Sequence, residues 1–240
     1  MIPKIIHQIW IGPNKKPDIW MDSVRLFCTD HGYEYRLWTE KEILGPELAL
    51  KNVVQYNATK RISGKANVAR YEILYKFGGT YIDADSVVLN PAGLHTLISS
   101  FTGDVGCGHE PDTELLANGV MLALPNSPFL AECIATIPNR DIQKVSWEAT
   151  GPLLVTDIFN ANPKRFNVVV YPAHVFYPRS WKNISSIDLH KHMLFTPKNL
   201  LFQYGYTTNN LAGKINDHFL QTQGSCLSLQ TPGSPTHKEN

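Results

Sequence analysis

Two adjacent glycines, Gly78 and Gly79, separate stretches of opposite periodicity, and that junction constrains the fold more than any other feature. Before them, Asn67, Arg70, Tyr71 and Leu74 recur at i, i+3, i+4 and i+7, beside a more apolar stripe of Ala66, Ala69, Ile73 and Phe77. This spacing predicts a helix from about Gly64 to Phe77 with Asn67 and Arg70 on one face. Ser63 is its expected N-cap and the glycine pair its stop signal. After the glycines, "TYIDADSVVL" reads as an apolar strand over 80–89. A glycine pair permits a tight reversal that lays the helix back along that strand.

The rest of the chain keeps alternating, which predicts an α/β layer architecture. "KIIHQIWIG" is an apolar run closed by Gly12-Pro13 and reads as a buried first strand, and "YEYRLW" (33–38) as a second. Further strands are expected at 104–107, 119–124 and 167–171, and helices at 18–28, 128–137 and 151–160. The last twenty residues are rich in Ser, Thr, Pro, Gly and Gln. The expected division is one domain over 1–220 and a disordered tail over 221–240.

Asp83 and Asp85 are the anomaly in this pattern. Asp is disfavoured in strands, and two carboxylates in a half-buried setting cost desolvation energy unless something compensates. Alone, Asp-x-Asp is a weak signal whose plain reading is a solvated strand end. Arg70, on the helix that precedes the pair, adds a clamp for an anionic ligand or an ordinary ion pair with an aspartate.

Composition excludes several classes. With 43% hydrophobic and 18% charged residues the chain is ordinary globular material, and a net charge of +1 gives no reason to expect a nucleic-acid partner. Cys28, Cys107, Cys133 and Cys226 are scattered without metal-type pairing and read as free thiols. Neither a signal-peptide core nor a transmembrane run is legible, so the expected location is cytoplasmic or peripheral at a membrane.

Two chemistries compete for "YIDADSV". It fits the haloacid-dehalogenase phosphatase signature, with Asp83 as nucleophile and Asp85 as acid/base. That family's later acidic pair has no match, because the downstream aspartates stand alone. The second is nucleotide-sugar chemistry. "IPKIIHQIWIG", "ANVARYEILYKFGGTYIDADSVVLNP" and "TGP" at 150–152, in this order, resemble glycosyltransferase family 32. That group includes yeast mannosyltransferases, capsule and lipopolysaccharide enzymes, and is related to the glucosyltransferase domains of clostridial toxins.

The resemblance implies a single Rossmann-like α/β domain of the GT-A type, with the nucleotide at the carboxyl ends of the strands. It implies a retaining hexosyl transfer from a UDP- or GDP-hexose to a glycan or other hydroxyl acceptor, with Mn²⁺ or Mg²⁺ as cofactor. Carried over, Asp85 would ligate the metal and Asp83 would bind the ribose and the metal or its waters. Arg70 and Asn67 would face the donor sugar and diphosphate, and Trp10 would stack on the base. Trp10 also reads as a core residue of the first strand. Asn118, in "ANGVMLALP", is a donor-sugar or acceptor candidate, and Glu110 and Asp112 could orient an acceptor hydroxyl.

Two departures stand out. Asn67 occupies the position where the family usually has Asp, and "TTNNLAGKI" replaces a His-His-Trp-Ala-Gly-Ser-Trp motif. Asn210 is thereby a metal-ligand candidate through its side-chain oxygen, with a turn residue as its plainer role. His174, His190 and His192 are weaker substitutes. A drifted motif also leaves room for a catalytically silent glycan- or nucleotide-binding protein of the same fold.

Overall fold

The computed structural model describes residues 1–180, 195–206 and 211. In chain order the elements are β1 (Ile5–Ile9), α1 (Asp18–His31), β2 (Glu34–Trp38), α2 (Glu40–Ile43), α3 (Val53–Ala58), α4 (Ile62–Phe77), β3 (Gly79–Ile82), β4 (Ser86–Val88) and α5 (Pro91–Ser99). Then follow β5 (Val105–His109), β6 (Leu116–Ala123), α6 (Pro128–Thr136), α7 (Ser146–Ala149), α8 (Pro152–Ala161), β7 (Val168–Tyr171), α9 (Ala173–Phe176) and β8 (Leu201–Gln203). The main sheet has the order β2-β1-β3-β6-β5-β7, and β4 and β8 form a second, two-stranded sheet. Within the main sheet only β6 runs against its neighbours.

Helices cover both faces of that sheet, so its strands are apolar on both sides, as a buried parallel-rich sheet requires. Along β6, Met121 and Ala123 point into the core under α4, α6 and α8, with Tyr81, Phe129 and Leu154. Val120 and Leu122 point the other way, with Ile6, Val24, Leu94 and Ile98. A third, aromatic cluster of Trp20, Phe202, Tyr204 and Tyr206 joins α1 to the small sheet, with Trp20 stacked on Tyr204 at 4.1 Å.

The α4–β3 junction is built as the sequence suggests. Gly78 and Gly79 both have positive φ, at 63° and 90°. A Cβ on Gly79 would lie 2.5 Å from the Ile5 carbonyl oxygen, so only glycine fits. The buried His7 closes the turn from below. Its Nδ1 accepts from the Trp38 indole N–H at 3.1 Å, and its Nε2 lies 2.9 Å from the Gly78 carbonyl oxygen. Burial lowers its pKa from 6.5 to about 4, so the ring is neutral and Nε2 donates.

Two local expectations are corrected. The helix begins at Ile62 with Arg61 at the N-cap position and no side-chain cap. Ser63 lies within the first turn, where its hydroxyl meets the Ser146 hydroxyl at 2.6 Å. The expected strand over 80–89 is two strands. The chain leaves the main sheet after Ile82, turns through Asp83–Asp85, and Ser86 enters the small sheet against Gln203. The turn is closed by Ser86 N–H donating to the Asp83 carbonyl at 3.0 Å. Neither aspartate is therefore in a strand, and the propensity conflict in the sequence disappears. The short helices α2, α3, α5, α7 and α9 were not anticipated; α2, α3, α7 and α9, of four to six residues, hold too few turns to show a helical period. Cys28, Cys107 and Cys133 are buried free thiols. The tail over 221–240 lies outside the described residues.

Candidate active site

The Asp83–Asp85 turn sits where β1 and β3 end side by side, at the carboxyl edge of the sheet, with the start of β6 alongside. Four elements converge on it. From β1, the Gln8 amide donates to the Asp83 carbonyl at 3.3 Å, and the Tyr35 hydroxyl on β2 holds Gln8 in place at 2.9 Å. From α4, Arg70 reaches in. From β6, Gly119 C=O accepts from Asp83 N–H at 2.8 Å. From β8, Gln203 and the following chain close the far side.

Arg70 is only 3% exposed and its partners satisfy most of its donors. Nη2 donates to Asp83 Oδ1 at 2.6 Å and to the Tyr81 hydroxyl at 3.2 Å, and Nη1 donates to the Asn118 carbonyl at 2.5 Å. The guanidinium lies over the Tyr81 ring, 4.2 Å from its centroid. Burial alone would lower the Arg70 pKa, but the Asp83 charge and the neighbouring tyrosines raise it above its ordinary value. Asp83 Oδ1 also accepts from the Tyr81 hydroxyl at 2.9 Å, and Oδ2 accepts from the Gln203 amide at 2.7 Å. A Cβ on residue 119 would stand 2.7 Å from Asp83 Oδ2, so Gly119 leaves the space that this carboxylate occupies.

Asp85 is the opposite case. Oδ2 accepts from the Tyr206 backbone N–H at 2.7 Å and Oδ1 from the Gln203 amide at 3.3 Å. Burial, and then the charge of Asp83, raise its pKa from 3.8 to about 6, against the smaller opposing effect of those two hydrogen bonds.

Asn67 and Asn118 form a polar layer behind Arg70. The Asn118 amide donates to Asn67 Oδ1 at 3.1 Å and to the Tyr71 hydroxyl at 2.9 Å, and that hydroxyl donates to the Thr150 carbonyl at 2.7 Å. The Asn67 amide points at the Ser146 carbonyl and the Thr150 hydroxyl, both at 3.4 Å. The "TGP" segment is thus tied to α4 through Asn67. An Asp at position 67 could not donate to the Ser146 carbonyl.

Trp10 lies at the rim and is partly exposed. Its indole N–H donates to the Asn14 carbonyl at 2.9 Å, and its ring meets the Tyr206 ring edge-on at 5.3 Å. Asp112 is exposed in the loop after β5, with φ of 59°, and Glu110 is half-buried where the Glu110 N–H donates to the Leu115 carbonyl at 2.8 Å. His174 is exposed on α9. His190, His192, Asn209 and Asn210 lie outside the described residues.

Asp83, Asp85, Arg70, Asn67, Asn118 and Trp10 are therefore neighbours around one edge of the sheet. Tyr81, Gly119, Gln203 and Tyr206 were missed. Tyr81 is two residues before Asp83, a spacing that could have found it. Gln203 and Tyr206 carry no local signal. The oxygen donors at the turn are the two carboxylates, toward which Gln203 presents its amide N–H, and among the described residues Asp85 has no cationic partner. That set fits a divalent cation such as Mn²⁺ or Mg²⁺. Among the described residues no group of three His, Cys, Asp or Glu side chains forms, so the third acidic ligand that the phosphatase reading needs is not beside the pair.

Residues 17–102 match the family described as glycosyltransferase sugar-binding region containing DXD motif. This segment is similar to the DXD-containing region of those glycosyltransferases. The chain is 29% identical over 169 residues to inositol phosphoceramide mannosyltransferase 3 of Schizosaccharomyces pombe, an alignment covering 67% of this chain and 45% of that protein. It is 28% identical over 174 residues to mannosyl phosphorylinositol ceramide synthase of Saccharomyces cerevisiae, covering 66% of this chain and 42% of that protein. The chain thus spans less than half the length of these two relatives. A glycosyltransferase involved in glycosylation of the major capsid of PBCV-1 superposes with a TM-score of 0.50 at 14% identity, over 88% of this chain and 100% of that one. With the parallel-rich sheet, this likeness shows the α/β fold to be of the GT-A type.

Proposed function

We propose that this chain transfers a hexose from a nucleotide-diphosphate sugar to a hydroxyl acceptor, with retention at the anomeric carbon and with Mn²⁺ or Mg²⁺. One observation supports the reading: at the carboxyl ends of β1 and β3, a carboxylate with no cationic partner among the described residues stands two residues from one paired with Arg70. Asp85 would hold the cation, Asp83 would share it or its waters, and Asn210 is a further oxygen donor. When bound, the cation would offset the charge of the departing diphosphate.

The chain's own residues do the rest. Arg70 fixes the Asp83 carboxylate through a 2.6 Å ion pair and keeps it from turning away from the cleft. Asn67 and Asn118, hydrogen-bonded to each other, would form the polar layer behind the donor hexose. Trp10 offers the exposed part of its ring to the base. In a same-face substitution the anomeric C–O bond to phosphate breaks, the acceptor oxygen bonds to that carbon, and the acceptor proton passes to the leaving phosphate oxygen. No protein base is needed. The names of the two yeast relatives make a mannosyl donor, and inositol phosphoceramide as acceptor, the first pair to try.

The test is a thermal-shift and turnover screen of UDP- and GDP-hexoses with Mn²⁺ and with chelator. A donor that raises the melting temperature only with cation, and is hydrolysed or transferred, is the expected result. Stabilisation without turnover would make the chain a binding module. The absence of both with every donor would sink the proposal.

A further inference from the structure

The stretch between Glu47 and Glu72 contains five cations, Lys51, Lys60, Arg61, Lys65 and Arg70, and no carboxylate. Arg70 is spent on Asp83. The other four have no ion pair among the described residues. Lys51, Lys60 and Arg61 are exposed, and Lys65 lays its stem toward Tyr56, its ammonium 5.1 Å from the ring centroid.

The same surface is unusually apolar. Val54 is 69% exposed, Trp147 49%, and Val53 and Ile62 38% each. These four are not scattered. Val53 and Val54 open α3, Ile62 opens α4, and the two helices are three residues apart. Trp147 is on α7, which meets the start of α4 through the Ser63–Ser146 contact, while Gln143, in the segment before α7, donates to the Ala58 carbonyl at the end of α3 at 3.4 Å. On its other side Ile62 touches the loop after Trp10, for a Cβ on Gly12 would come within 3.0 Å of its side chain. The patch therefore borders the mouth of the candidate active site.

Unpaired Lys and Arg set among exposed Val, Ile and Trp is the chemistry of an interfacial anchor. The apolar groups enter the headgroup boundary, the indole sits at the interface, and the cations meet anionic headgroups. A nucleic acid would call for aromatic stacking platforms along a groove, and aliphatic valines do not supply them. We infer that the α3–α4 surface docks on an anionic lipid bilayer. Resting on the transferase reading, this turns the cleft mouth toward the membrane, so the acceptor hydroxyl is taken from a lipid-borne glycan or headgroup at that surface.

The full chain, sedimented with phosphatidylcholine vesicles with and without phosphatidylserine, tests this. Binding should be roughly tenfold or more tighter to the anionic vesicles and should fall with salt. The Lys60→Glu/Arg61→Glu variant should lose that preference. Val54→Ser/Trp147→Ser should weaken binding several-fold at any salt, with unchanged melting temperature and unchanged donor hydrolysis in both variants. Equal binding to the two vesicle types, or full binding by the charge-reversed variant, would overturn the inference. So would equally tight capture of soluble polyphosphate at the same residues, because the partner would then be a polyanion. Donor turnover is read separately, so its absence in the parent protein would end the transferase reading without touching the vesicle result.

Discussion

The two sides of the Asp83–Asp85 turn use the same residue type for opposite ends. On the α4 side every charge is matched: Arg70 is buried, and Asp83 accepts from Arg70, Tyr81 and Gln203. On the β8 side Asp85 has a backbone N–H, a long amide contact and a raised pKa. A buried ion pair with both Nη groups hydrogen-bonded, and only Nε of Arg70 left without a partner, is costly to break but has little left to offer a ligand. A buried carboxylate with a like charge beside it is the reverse, and a bound cation relieves it. In the function proposed above, one side of the turn would position and the other would capture the ligand.

The largest expected effect is on the matched side. Arg70→Ala leaves Asp83 partly buried without its cation and should destabilise the chain by about 3–5 kcal/mol, read by urea denaturation. A loss below about 1 kcal/mol would show that the pair is held loosely in solution, like an exposed ion pair.

Asp85→Asn should do the opposite to stability and harm only function. Donor hydrolysis should fall roughly a hundredfold or more, with the cation-dependent melting shift lost. The sign on the apo protein follows from the raised pKa. The folded state binds this proton more tightly than the unfolded chain does, so ionising Asp85 costs stability as pH rises from 3.8 to about 6. Removing the charge should therefore raise apo stability at pH 7 by on the order of 1–2 kcal/mol and flatten the fall across that window. A destabilised apo variant would make Asp85 a structural residue and erase the contrast with Asp83.

Trp10 sharpens the picture at the rim. If its ring stacks on the base, Trp10→Ala should cost about 1–3 kcal/mol of nucleotide affinity, with Trp10→Phe retaining much of it. Isothermal titration with free nucleotide measures both, and normal affinity in a folded Trp10→Ala protein would confine the ring to packing on Tyr206. Ser63→Ala should be smallest, under about 0.5 kcal/mol, because Ser63 is not the cap of α4; the roughly 1 kcal/mol of a true N-cap would restore the sequence-based expectation.

Much of this architecture is legible in the residues alone. Strands β1, β2, β5, β6 and β7, and helices α1, α4, α6 and α8, all carry a periodicity of two or of 3.6, or a bounded apolar run. The Gly78-Gly79 stop is legible because only glycine tolerates the required φ values and the close approach of Ile5. Asp83, Asp85, Arg70 and Asn67 could be nominated because they lie within 19 residues of one another on two adjoining elements.

What the sequence by itself determined was thus the alternation of layers and the local pairing of α4 with the Asp-x-Asp segment, since both depend on neighbours in the chain. Only the tertiary structure decided that the strand breaks at Asp83, because the alternative partner for Ser86–Val88 is β8, far downstream. It also decided which aspartate pairs with Arg70 and which does not. Gln203 and Tyr206 reach Asp85 from 118 and 121 residues away. Such contacts leave no trace in local spacing, because they are selected by the packing of the whole sheet and not by the residues on either side.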